Sequence, residues 1–214
     1  TATNAVGTGA ATAPTHPVMP TIPTTLATSV KSSTAIGGAI PLTATLQRAD
    51  THAALPNRRV LVFRREAPSD RWVQVRKLRT NSDGGVSTVL RPKRNAELEA
   101  VFPGTANIAR SSAFKNYVVR PGVRASLSAS AVRSGTRVTI RGSASPFSAG
   151  QRVLREGYFD GGWHVWQRSR IGRHGHYSFA FRPTLKTVDV YRIVVAATVR
   201  HGSGHSRTLR LVVG

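Results

Sequence analysis

Glu97 and Glu99 are the nearest approach in this sequence to an acid and base pair. Two apart on a strand they share one face, and carboxylates enclosed in one pocket can be driven to different pKa values. Arg91, Lys93, Arg94 and Arg110 flank them, so cross-strand ion pairing is the expected role. His174 and His176 form HGH, and His201 and His205 form HGSGH. Two such loops meeting at one end of a sandwich would bring imidazoles around a transition metal. Cysteine is absent and no nearby carboxylate completes such a shell, so exposed loop histidines without metal or other cofactor are expected. Asp83 in NSDGG reads as turn chemistry in a hairpin connection, and so does Asp160 before Gly161. No GxSxG elbow, phosphate-cradling glycine loop or HExxH helix accompanies these groups, which argues against an enzyme.

Binding chemistry has more material. Trp166, Arg168, Arg170 and Arg173 are the candidate ligand contacts: an indole to stack on a sugar ring, with guanidinium groups alternating along the same stretch. Trp163 has a partner in Trp72 and reads as a core or hairpin-packing residue. Trp166 stands where the earlier copy has Val75, so it either packs inward or meets a ligand.

Charge widens that reading. Thirty-one Lys and Arg face nine Asp and Glu, for a formal net charge of +22. Twenty-six of the cations are Arg, whose planar fork matches phosphate and carboxylate. An anionic cell-wall polymer or other polyanion is the implied partner, and codon bias toward Arg is the competing origin of that choice. Nucleic acid is disfavoured, since no nucleic-acid motif accompanies the arginines. No run of about 18 apolar residues exists, so membrane insertion is not expected.

Strands must position all of this. Trp72, Gly84, Val86, Thr88, Leu90, Arg91 and Pro92 return 91 residues later as Trp163, Gly175, Tyr177, Phe179, Phe181, Arg182 and Pro183. Period-two alternation runs through GAIPLTATLQ, RRVLVFRRE, RWVQVRKLR, VSTVLRP, AELEAVF and FKNYVVR, and again through the second copy, with no helical stripe of useful length. The expected fold is all-β, with two tandem β-sandwich domains at 25–120 and 121–214. VVRPGVRAS is a joint short enough to keep them stiff.

Residues 1–24 differ in kind. The first charged side chain is Lys31, and Pro14, Pro17, Pro20 and Pro23 recur every third residue, which favours an extended arm. Such an arm can pair with an open sheet edge of a second copy, with Val6, Val18, Met19 and Ile22 as candidate assembly residues; self-association into a homo-oligomer or filament is the expectation.

VFPGTANIARSS, SGTRVTIRGSASPFSAGQRV, DGGWHVWQR, GHYSFAFRP and YRIVVAA together resemble bacterial immunoglobulin-like repeats of actinobacterial secreted and cell-surface proteins. REGY at 155–158 departs from the plain alternation of that strand and leaves its register open. The resemblance implies an immunoglobulin-like fold over about residues 25–214. It also implies a secreted or surface location and a non-catalytic structural or adhesive role, with an accessory module of a secreted hydrolase as the alternative.

Overall fold

In the computed structural model the described residues are Thr3–Asn4, Gly7–Thr8 and 21–214, and among them the regular structure is strand throughout. Two short strands, β1 (Thr3–Asn4) and β2 (Gly7–Thr8), pair with each other. Eight follow in the first half of the chain: β3 (Thr24–Val30), β4 (Ser33–Ala35), β5 (Ile40–Arg48), β6 (Arg59–Glu66), β7 (Val73–Arg79), β8 (Gly85–Leu90), β9 (Ala96–Phe102) and β10 (Ser111–Arg120). The second half supplies β11 (Gly122–Leu127), β12 (Ala131–Val132), β13 (Val138–Ser145), β14 (Arg152–Phe159), β15 (Gly162–Arg170), β16 (His176–Phe181), β17 (Val188–Val195), β18 (Gly204–His205) and β19 (Leu209–Val213).

Each half folds as two sheets face to face. β3-β5-β8 lies on β4-β10-β9-β6-β7, and β11-β13-β16 lies on β12-β19-β17-β14-β15, the same strand order twice. A short strand runs parallel to the last one in each half, β4 beside β10 and β12 beside β19. The arrangement is an immunoglobulin-like sandwich. Alternation is what makes it: in β5, Ile40, Leu42, Ala44 and Leu46 point inward and are buried, while Pro41 and Thr43 face out. Val60, Val62, Leu98, Tyr117 and Val119 close the first core from the opposite sheet. In the second, Val153, Ile193 and Leu211 do the same against Ile140 and Phe179 of the facing sheet.

Three sequence expectations change in detail. NSDGG does not join a hairpin, because β7 pairs with β6 while β8 pairs with β5 in the facing sheet. The turn is still tight: Asn81 Oδ1 accepts from the N–H groups of Asp83 (3.1 Å) and Gly85 (2.7 Å), and Gly84 has φ +71°. Turn residues of this type permit any sharp reversal, and partner choice falls to the apolar faces of Val86 and Leu90. Second, the strands β4, β12 and β18, two or three residues each, carry too little alternation to be read from sequence. Third, β15 holds a β-bulge, with Trp166 the extra residue opposite Arg155 and Glu156 of REGY, and β7 has the equivalent one, with Val75 opposite Val62 and Phe63.

Of the arm residues, Val6, Val18 and Met19 lie outside the described residues. Ile22 is tied into its own chain: its N–H donates to Asn107 O at 2.9 Å, its carbonyl accepts from Ala109 N–H at 2.9 Å, and its side chain packs on the first core.

Candidate functional site

Five of the nine carboxylates are engaged in ion pairs. Glu97 pairs with Arg65 from the neighbouring strand, and Glu99 with Arg110 at 3.3 Å. Glu156 pairs with Arg192 at 2.7 Å, Glu66 with Arg64 at 3.2 Å and Asp50 with Arg48 at 2.6 Å. Two of these pairs brace the repeated tryptophans on the outer faces: Arg65 lies 5.0 Å from the ring centre of Trp72, and Arg192 lies 4.3 Å from that of Trp163. The signs are exchanged between strands, with Arg on β6 and Glu on β9 in one half and Glu on β14 and Arg on β17 in the other. Asp160 takes φ +49° beside Gly161 at φ +75°, the conformation of a two-residue hairpin turn.

His174, His176 and His205 are exposed, and His201 is half-buried. Among the described residues no three metal-ligating side chains gather. His201 has a structural partner instead, its Nε2 lying 3.0 Å from Lys93 O in the other sandwich.

The four candidate ligand contacts separate. The bulge turns Trp166 toward the interior, where its ring lies edge-on to Tyr191 at 5.5 Å and so close over Gly157 that a Cβ there would sit 2.6 Å from it. Trp166 lines one cavity with Arg155, and Arg170 lines another with Arg141 and His176. Arg168 and Arg173 are exposed and line neither. Period-two counting puts 166, 168 and 170 on one face, and an extra residue in the strand breaks that count.

The most developed surface is at the junction, which the sequence reading treated only as a short linker. β10 runs through Pro121 directly into β11, and the loop between β17 and β18 folds back onto the first sandwich. Asn95 is the clamp. Its N–H donates to Arg200 O at 2.8 Å and its Nδ2 to Val199 O at 3.3 Å, while its Oδ1 accepts from Val119 N–H at 2.9 Å and its carbonyl from Ala67 N–H at 3.0 Å. Gly202 N–H adds a bond to Val119 O at 2.9 Å. That approach requires bare backbone, because a Cβ on Gly202 would fall 2.2 Å from Val118 and one on Gly204 would fall 2.5 Å from Pro121 O. In HGSGH the two glycines, rather than the histidines, carry the structural information.

Beside the clamp is a cleft of ≈ 570 Å³. Arg91, Lys93 and Arg94 line it from the first sandwich, and Arg200, His201 and Phe147 from the second. None of the nine carboxylates lines it, and none of its arginines or Lys93 takes part in an ion pair among the described residues. Converging like charges in a concave wall focus a positive potential and hold anions there. Phe147, 39% exposed, adds an apolar surface.

No protein-family model matches the chain, and no curated protein is similar to it. Solved structures are similar. A tetra-tandem repeat from the extending region of a large adhesion protein is 16% identical over 88% of this chain and 50% of its own, with a TM-score of 0.38. The D0-D1 domain of intimin is 13% identical over 88% of this chain and 97% of its own, at 0.34. The native alpha-2-macroglobulin of E. coli is 11% identical over 88% of this chain and 16% of its own, at 0.37. The chain thus spans half of the adhesion-protein structure and a far smaller part of the macroglobulin.

Proposed function

We propose that this chain is a non-catalytic extracellular structural or adhesive module that grips an anionic polymer in the basic cleft between its two sandwiches. One observation carries the reading: cations from both halves face a shared cleft that no carboxylate lines. The Asn95 clamp supports it, since a cleft built across a joint keeps its shape only when the joint is fixed. The ligand class is a polymer of phosphates or carboxylates of the kind found in cell walls, recognised by forked arginines.

Binding of poly(glycerol phosphate) to the full chain, followed against ionic strength, tests this. Replacing Arg91, Arg94 and Arg200 by Gln should reduce the slope of log affinity against log salt by about 2 to 3. Replacing Arg168, Arg170 and Arg173 by Gln is the control, and equal losses in the two triple variants would overturn the cleft as the site. Surface labelling of intact producing cells with an antibody checks location, and a purely internal signal would refute it. Self-assembly into a filament rests on the arm, with Val6, Val18 and Met19 as its residues; deletion of residues 1–20 should abolish oligomers, and unchanged oligomers would remove that element. The accessory-module alternative requires an enzyme domain encoded in the same polypeptide.

A further inference from the structure

The second sandwich holds a cation where the first holds hydrocarbon. Arg155 is 5% exposed, at the place taken on β6 by Val62, which has no exposure at all. Both residues sit immediately before the equivalent bulge, Arg155 opposite Gln167 and Ile193, Val62 opposite Arg76 and Ala100. Around that point Val75, Leu98 and Leu90 of the first half become Trp166, Tyr191 and Phe181 of the second.

The guanidinium is boxed by aromatic rings, 4.0 Å from the centre of Phe181, 5.0 Å from Tyr191 and 5.3 Å from Trp166. Its Nε donates to Gln167 Oε1 at 2.9 Å, and Gln167 Nε2 donates onward to Ala180 O at 3.1 Å, which fixes the plane of the fork. Among the described residues no salt bridge forms to it and its buried Nη1 makes no hydrogen bond, although the Tyr191 hydroxyl and the Asp189 carboxylate lie near enough to favour its charge. Burying a charge with an unengaged donor is costly, and the first sandwich shows that this position is filled well by valine. Nη1 itself is out of contact with solvent, so a planar anion would meet the guanidinium along the edge that lines the neighbouring cavity.

The surroundings narrow the anion. Arg155 lines a cavity of ≈ 180 Å³ at the edge of the sandwich, shared with Trp166, Arg182, Thr184 and Asp189. At ~30 Å³ per water in the liquid, that is room for about six waters, enough for one small ring and less than the ~300 Å³ of a drug-sized pocket. Trp166 is 44% exposed and offers indole surface to a ring's C–H face. Asp189 already accepts from Tyr191 Oη at 2.7 Å, and its carboxylate can accept further from hydroxyl donors, while Arg155 and Arg182 in the same cavity offset its charge. We propose that this cavity binds the uronic-acid residue of an acidic glycan, with Arg155 and Arg182 receiving the carboxylate, Asp189 receiving ring hydroxyls and Trp166 covering the ring. The site shares no residue with the junction cleft and stands whether or not that cleft binds polymer.

Titration of the full chain with glucuronate and galacturonate, read by ¹⁵N–¹H shifts of the Arg155 Nε–H and the Trp166 indole, tests it. Saturable shifts are expected, lost by at least about tenfold in affinity in Arg155→Val. The Arg91, Arg94 and Arg200 variant should retain them. Glucose should fail for want of a carboxylate, and acetate or N-acetyl-aspartate amide should bind at least about tenfold more weakly than uronate. Equal binding of those carboxylates would overturn the sugar assignment, and absence of saturable uronate shifts would overturn the site. If Arg155→Val proves unfolded, Trp166→Val serves as the second variant; undiminished uronate affinity in that chain also overturns the assignment.

Discussion

The two sandwiches share strand order, bulge position and tryptophan brace, yet differ at one inward corner. In the first, Val62, Val75, Leu90 and Leu98 meet as hydrocarbon. In the second, Arg155 stands among Trp166, Phe181 and Tyr191. A duplicated fold therefore tolerates a buried cation where three rings, a glutamine and a neighbouring glycine have changed with it, and the pattern of strands is indifferent to the exchange. Gly157 illustrates the coupling, because only a residue without Cβ lets the Trp166 ring lie down over its backbone; its counterpart on β6 is Arg64.

The sharpest way to break this comparison is Val62→Arg. Without rings or a glutamine to receive it, the cation should destabilise the first sandwich by about 3–5 kcal/mol, measured as an earlier urea transition reported by Trp72. A variant as stable as the parent would mean that the aromatic box is not what admits Arg155. Next in size is the joint that holds the halves together. Asn95→Ala removes one donor and one acceptor and leaves Val119 N–H and Val199 O short of partners, so a loss of about 1–3 kcal/mol is expected. Gly202→Ala should uncouple the halves in the same way, and small-angle scattering should detect a wider spread of shapes in both variants. Unchanged scattering would show that the short linker alone sets the angle.

Alkaline pH separates the sandwiches more gently. Burial pushes Tyr117 in the first up to about 12, and pushes Tyr177 and Tyr191 in the second further still, with Asp189 adding to the rise at Tyr191. Unfolded tyrosines ionise near pH 10, so above that the unfolded chain releases protons that the folded one keeps, and stability falls from about pH 10 upward. With two such tyrosines against one, the second sandwich should melt first as pH is raised from about 10 to 12; heteronuclear spectra or the separate tryptophan signals would follow it. The smallest effect belongs to Arg155→Val, which restores the first sandwich's residue and should change stability by no more than about 1 kcal/mol, in either direction. A large loss in thermal unfolding would mean that the guanidinium is a structural keystone.

Much of the fold was legible. Six of the seven longer strands of the first half follow directly from alternating residues such as Ile40, Leu42, Ala44 and Leu46, because a sheet with one wet face demands period two. The pairing of Glu99 with Arg110 was also readable from local charge, and so was the Asp160 turn, whereas Glu97 finds Arg65 on β6, outside the flanking cations. In the candidate ligand set Trp166 was visible as an odd residue against Val75, but the bulge that turns it away from Arg168 and Arg170 was not. Nothing in REGY marked Arg155 as buried, since an arginine on a strand normally faces water.

Sequence by itself determined that this is a duplicated all-β chain and strongly cationic, with nine acids against thirty-one lysines and arginines. Those properties are set by local pattern and composition. Tertiary structure alone decided that Asn95 joins the halves, that Arg91, Lys93 and Arg94 face Arg200 across a cleft, and that Arg155 turns inward. Each depends on contacts between residues tens of positions apart, where geometry rather than residue type chooses the partner.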